Sequence, residues 1–278
     1  MIREKRELAE FAQRFPQDQL VLVTLTKTEG STYQKPGARK LIHASGQSAG
    51  LITGGCLEGD IIQKALEMKA PTERHSFDTR EETDRLFGST LGCQGKMDLL
   101  FEQLNARELF SSNRLGLEKN EIFMVHIIGA GPDLDPLNEL LLWSKWNHQF
   151  WTNQTDLLEQ RKDLGWKIQK LDIPMLKTQI SQPDRTAVLL MSHNYPTDLE
   201  VLSQIQSLGL SYIGVLGPRR RRDQMLEDLP KIYDIDADQI PTDKIIGPMG
   251  MDRMGRGPSS IALSIIADLQ SRFFGNLP

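Results

Sequence analysis

Ile2, Leu8, Phe11 and Phe15 recur at near-helical spacing among charges, which predicts an amphipathic helix over 2–14. The period then shortens. "QLVLVTLTKTEG" is a β-branched run, and "ARKLIHASGQSAGLITGG" reads as two short strands joined at Ala44, Ser45 and Gly46. "LEGDIIQKALEMK" returns to helical spacing, with Leu57, Ile61, Ala65 and Met68 on one face. Two more strands are expected at "RHSFDT" and "KMDLLFEQL", with the glycine-rich "GSTLGCQG" between them. Together these predict a small α+β domain with an antiparallel sheet over residues 1–110.

The segment "NARELFSSNRLGLEKN" is polar and short of β-branched residues, so it reads as a helix end and a linker at 111–120. Beyond it the texture alternates. "EIFMVHIIGAG" predicts a buried strand, "DLDPLNELLLWSKWN" a helix, and "HQFWTN" and "TAVLLMSHN" further strands. "DLEVLSQIQSLG" is helical, "SYIGVLG" a strand, "RRRRDQMLEDL" a helix, and "SSIALSIIADLQSRFF" a closing helix. Strands separated by helices of this length imply parallel βαβ units covered on both faces. The fold class expected is therefore α/β, with a Rossmann-like parallel-sheet domain over 121–278 following the α+β domain.

Composition narrows the function. A length of 278 residues suits two cores, and 39% hydrophobic with 25% charged residues is the profile of an ordinary globular chain. A net charge of -4 gives no general attraction for nucleic acid, so the basic run Arg219 to Arg222 requires a local explanation. No apolar run approaches a membrane span or a signal core, which predicts a cytoplasmic protein with no membrane partner. Two cysteines are too few for a disulfide framework and are expected as thiols.

In a parallel sheet, ligands collect beyond the carboxyl ends of the strands. "IIGAGPDLD" resembles a dinucleotide-binding turn, with Gly129 and Gly131 able to let backbone approach a pyrophosphate, which would admit NAD(P). The third glycine of that pattern is replaced by Leu134, and Asn153 or Gln154 stands where a ribose-binding acid is expected. "LLMSHNYPTDLEVL" offers His193 as acid, base or ligand. Beside it, Thr197 and Glu200 have the spacing of a capping box, and Asp198 is placed to favour the helix dipole. In "YIGVLGPRRRRDQML", Arg219 and Arg220 lie nearest the turn and are candidate anion contacts.

The first domain has its own candidate site in "GGCLEGD", where Gly54 and Gly55 precede Cys56 at a strand-to-helix turn. A helix start would lower that thiol's pKa, while Glu58 and Asp60 push it up by like charge. Packing is an equally physical role for such a cysteine. Cys93 lies in a second glycine-rich turn. A zinc site completed by His43 and His75 lacks any paired-ligand spacing.

Seven motifs in order carry a resemblance: "KPGAR", "GGCLEGDI", "LGCQG", "IIGAG", "SHNYPTDL", "YIGVLGPRRRR" and "GMDRMGRGPSSIALSIIADL". Across nearly its full length the chain resembles the XdhC/CoxI family, accessory proteins of molybdenum hydroxylases such as xanthine dehydrogenase. The resemblance implies a protein that binds molybdenum cofactor (molybdopterin), favours its sulfuration, and passes it to a client hydroxylase. It also implies a homodimer and a cysteine desulfurase partner. On this reading Cys56 and Cys93 contact the metal or sulfur, and Gly54, Gly55, Glu58, Gly129, Gly131, His193, Arg219 and Arg220 complete the cofactor contacts. Glu58 has a second reading as a helix-start acid. The chain departs from the family at Leu134, at Asn153, at Tyr195, where a second histidine is usual, and at Gly257-Pro258. Two other classes stand beside this one: an NAD(P)-dependent oxidoreductase with His193 as proton donor, and an interaction module that recruits the hydroxylase or desulfurase.

Overall fold

A computed structural model describes residues 2–55, 57–78, 95–116, 123–252 and 255–274. The chain divides into two units, Met1–Glu118 and Lys119–Pro278.

The first unit is built on a five-stranded antiparallel sheet in the order β3-β2-β1-β5-β4. Its strands are β1 (Gln19–Gly30), β2 (Arg39–His43), β3 (Ser48–Gly50), β4 (Thr72–Asp78) and β5 (Gly95–Asn105). The helices are α1 (Ile2–Arg14), α2 (Glu58–Leu66) and α3 (Ala106–Ser111). Period-two alternation on β1 sends side chains to both faces, and both are buried. Leu20 and Leu22 join Leu8, Phe11 and Ala12 of α1. Val23 and Leu25 join Ile61 and Ala65 of α2 and Leu99 and Phe101 of β5. This is why β1 reads as a nearly continuous apolar run.

The stretch expected as a helix end and linker is partly core. Asn105 opens α3 with a capping box: its side chain accepts from the Glu108 amide, and the Glu108 carboxylate accepts from the Asn105 amide. Leu109 and Leu115 then bury against α1 and β1, so the first unit extends past residue 110.

The second unit carries a six-stranded sheet whose paired strands all run parallel, in the order β11-β10-β9-β6-β7-β8. These are β6 (Met124–Gly129), β7 (Asn147–Thr152), β8 (Ile168–Lys170), β9 (Thr186–Met191), β10 (Tyr212–Val215) and β11 (Ile245–Ile246). Read from the other edge, this is the Rossmann strand order, with its topological switch point between β6 and β9. The helices are α4 (Leu134–Trp143), α5 (Thr155–Asp163), α6 (Ile173–Gln179), α7 (Tyr195–Ile205), α8 (Arg219–Tyr233) and α9 (Pro258–Phe274). Every residue of β9 is buried, as a strand covered on both faces requires.

Four of these elements escape the periodicity argument, three between "HQFWTN" and "TAVLLMSHN" and one between "RRRRDQMLEDL" and "SSIALSIIADLQSRFF". Helix α5 has no buried residue and so no apolar face to reveal it. Helix α6 buries only Leu176, and β8 and β11 are three and two residues long. The start of α7 also differs from expectation. Asn194, not Thr197, is its cap, accepting from the Thr197 amide at 3.0 Å, with Pro196 in the first turn.

Within the central strands, the His126 ring is fully buried and accepts the Trp151 indole N–H on Nδ1 at 3.1 Å. Burial pushes its pKa down to about 4, so the imidazole is neutral at pH 7.

Leu115→Ala tests the boundary of the first unit. Loss of about 2–5 kcal/mol is expected for a fully buried leucine, against under about 0.5 kcal/mol for a linker residue, read from urea unfolding midpoints.

Candidate functional site

At the switch point a cavity of about 470 Å³ opens beyond the carboxyl ends of the strands. Its wall takes Asp133 from the turn after β6, His193 from the turn after β9, and Leu216, Gly217 and Pro218 from the turn after β10. Pro248 and Met249 after β11, Asp198 of α7, Arg221 of α8, and Ile261 and Ser264 of α9 complete it. The volume and the mix of apolar walls with a few charges suit a small-molecule site, which typically spans about 300–1,000 Å³.

Two polar side-chain pairs line this cavity. His193 Nε2 lies 3.4 Å from Asp133 Oδ2, with His193 half exposed and Asp133 buried. His193 adopts φ +56°, a left-handed conformation costing a non-glycine residue about 1–2 kcal/mol, which the turn imposes. The second pair is deeper. Arg221 Nη2 donates to Asp198 Oδ2 at 2.9 Å, and the Ser192 amide donates to Asp198 Oδ1 at 3.3 Å. Asp198 is 1% exposed, and burial drives its carboxyl above the ordinary range despite the hydrogen bonds from Ser192 and Arg221. Asp198 thus does more than favour the α7 dipole: it neutralises an arginine from another helix. Tyr195 supports the same arginine, with the guanidinium 5.3 Å from its ring centroid, and its hydroxyl donates to Asp228 at 2.6 Å.

The two glycines of the dinucleotide-like turn accommodate protein side chains. A Cβ on Gly131 would lie 2.3 Å from His193 Nε2, and one on Gly129 would lie 2.6 Å from Leu134 Cδ2. In a dinucleotide site the second glycine admits the pyrophosphate and the third permits close helix packing. Here His193 occupies the approach to Gly131, and Leu134 uses the room beside Gly129. Asn153, in the expected position of the ribose acid, lines a separate cavity of about 700 Å³ with Asp172, Lys177 and Glu200.

Of the two arginines expected to contact an anion, Arg219 and Arg220 are both exposed on α8 and neither lines the switch-point cavity. Arg221 lines it instead. A helix turns by about 100° per residue, so the residue nearest the turn need not face the strand ends. The "RRRR" run alone carries no mark of which residue does.

In the first unit, Gly54 and Gly55 are exposed in the turn between β3 and α2, and the Tyr33 ring packs over Gly54. Glu58 organises that turn. Its Oε1 accepts from the Ile52 amide at 3.0 Å, the Thr53 amide at 2.6 Å and the Thr53 hydroxyl at 2.9 Å. Its Oε2 pairs with Lys40 Nζ at 2.8 Å, where the two side chains are 14% and 5% exposed. Burial raises the Glu58 carboxyl, but the Lys40 ammonium and the Thr53 donors outweigh it and hold it below its ordinary pKa. Lys40 was not foreseen. It follows Arg39 directly in "ARKLIH", and spacing alone does not mark which of the two cations is buried. Cys56 and Cys93 lie outside the described residues.

His43 and His75 are not brought together. His43 sits on β2, contacting Ser45 Oγ and stacked on Phe15, while His75 on β4 pairs with Glu73. Strands β1 and β5 separate them. Among the described residues, no cluster of three or more His, Cys, Asp or Glu could hold a metal ion. No described helix is long and apolar enough to cross a membrane.

Fold and site define a two-unit protein whose Rossmann-type unit keeps the strand order but fills its glycine turn from within. Sequence comparison identifies the group: the XdhC Rossmann domain matches residues 125–269, and the XdhC and CoxI family matches residues 16–78. The chain belongs to the XdhC and CoxI family, as its motifs indicated. It is 24% identical to a probable xanthine dehydrogenase subunit of Bacillus subtilis, covering 91% of this chain and 93% of that protein. It is also 24% identical to the molybdenum cofactor insertion chaperone PaoD of Escherichia coli, covering 90% and 82%. A crystal structure of a xanthine dehydrogenase from Bacillus halodurans shares the fold over 99% of this chain and 97% of that one, with TM-score 0.81 and 22% identity.

Arg221→Met leaves the Asp198 carboxylate buried without its cation, and should cost about 3–5 kcal/mol at pH 7. A carboxyl raised above its unfolded value makes the folded state the better proton binder, so stability falls as pH rises through that window. Chemical denaturation should therefore show the Arg221→Met penalty shrinking as pH falls toward the raised Asp198 pKa. Asp198→Asn in the same chain should recover most of the loss.

Proposed function

We propose that this chain is an accessory protein that binds molybdenum cofactor and assists its insertion into a molybdenum hydroxylase of the xanthine dehydrogenase type. The carrying observation is that both family segments occur in one chain that aligns over 90% of its length with a molybdenum cofactor insertion chaperone. The geometry is compatible with that cargo. A pterin head needs a cavity with flat apolar walls and a few convergent polar groups, and the switch-point cavity has this character.

By the family resemblance alone, Cys56 would contact molybdenum or sulfur with Cys93 assisting, since soft thiolates suit such a centre. Gly54 and Gly55 leave backbone open beside Cys56 in sequence. Glu58 serves chiefly to hold the turn, because its carboxylate is already engaged by Lys40 and Thr53. Gly129 and Gly131 act by admitting Leu134 and His193, and His193 faces the cargo cavity. Arg219 and Arg220, exposed on α8, remain available to an anionic group or to the client. Sulfuration, a cysteine desulfurase partner and a homodimeric state extend the reading from the family resemblance alone. An NAD(P)-dependent oxidoreductase is the less favoured reading, because His193 stands where a pyrophosphate would approach Gly131.

Cys56→Ala is the direct test. Purified wild type is expected to carry molybdopterin and molybdenum, measured by fluorescence of the oxidised pterin and by elemental analysis. The variant should lose most of both and fail to activate the hydroxylase. Full retention with normal activation would remove Cys56 from the site, and wild type free of both pterin and metal would remove the cofactor-binding reading.

A further inference from the structure

We infer that Asp133 reads the amino edge of the pterin in the switch-point cavity, an assignment that rests on the cofactor-binding reading above. The argument begins with the donor and acceptor pattern of the ligand. Along one edge a pterin presents its 2-amino group and ring N3–H as parallel donors, and it carries a carbonyl oxygen at C4. A carboxylate matches the donor pair with two acceptor oxygens, and an arginine matches the carbonyl.

The cavity offers both partners. Asp133 is 4% exposed, lines the cavity, and makes no cap hydrogen bond to α4. Its neighbour His193 stands at 3.4 Å, too long for a strong hydrogen bond, so the carboxylate keeps acceptor capacity for a ligand. Arg221 uses one terminal nitrogen on Asp198, which leaves other N–H groups of its planar fork for an acceptor. Leu216, Pro248, Met249 and Ile261 supply apolar walls suited to a flat ring. A dinucleotide bound in the usual Rossmann manner would use the Gly131 approach that His193 fills, whereas this mode leaves His193 in place as a positioning residue for Asp133.

The same edge chemistry belongs to a guanine base, so the test separates the two. Full-length protein freed of bound cofactor is titrated with 6-hydroxymethylpterin, with the matching lumazine, in which a 2-oxo group replaces the 2-amino group, and with guanosine. Binding is read by pterin or lumazine fluorescence polarisation, with guanosine as competitor. Wild type should bind the pterin about tenfold or more tightly than the lumazine, because losing one buried charge-assisted hydrogen bond costs at least that factor. Guanosine should compete more weakly than the pterin. Asp133→Asn should bind the pterin more weakly and lose the pterin-over-lumazine preference. If it does not fold by thermal melt, Asp133→Ser, which keeps a small polar side chain at the α4 start without the carboxylate, takes its place.

Equal wild-type affinity for pterin and lumazine, tighter binding of guanosine, or a preference that survives in the Asp133 variant would each overturn the assignment. Molybdopterin co-purifying with wild type in those cases leaves the cofactor-binding reading standing. Wild type that neither carries molybdopterin nor binds the pterin overturns both.

Discussion

Everything in the second unit follows from a parallel sheet covered on both faces. With every residue of β9 and β10 and nearly every residue of β6 buried, the strands hold a neutral ring such as His126 but no ionised group, and charged chemistry moves to their carboxyl ends. The strand order then separates the connections leaving β6 and β9, opening a crevice between them. The Asp198–Arg221 pair braces one side of that crevice by tying the start of α7 to the first turn of α8. A cation near a helix N-terminus is electrostatically misplaced, and the buried carboxylate is what compensates it.

Inside this frame the glycine turn has been put to a different use. Gly131 still permits a close approach, but the approaching group is the His193 imidazole, held near Asp133 by a left-handed backbone. Gly129 gives its space to Leu134, the residue that breaks the three-glycine pattern. The placing of Tyr195 has a similar logic. Its ring supports Arg221 and its hydroxyl binds Asp228, so the position contributes to holding the site in shape.

The first unit solves a related problem with one carboxylate. Glu58 gathers the Ile52 and Thr53 amides and the Lys40 ammonium, so the exposed glycine turn is anchored to β2 by its own helix start. An acid that looks like an electrostatic obstacle to a thiolate in "GGCLEGD" is matched by a buried lysine from β2. Its charge is therefore largely compensated where it stands.

The order and type of the longer elements were legible because burial imposes a period on the sequence: two along β4, 3.6 along α1, and an unbroken apolar run along β9. Elements without that imprint were not legible, as with α5, which buries nothing, and β8 and β11, which are too short to show a period. The turns bearing Gly131 and His193 were likewise readable as strand-end features of a Rossmann-type sheet. Tertiary structure alone decided that Arg221 and not Arg219 or Arg220 lines the cavity, that Asp133 and Asp198 are its acids, and that His193 fills the glycine turn. Each of those outcomes depends on which side chains meet across elements distant along the chain. Such meetings are set by the packing of helices on a twisted sheet, and local spacing carries no record of them.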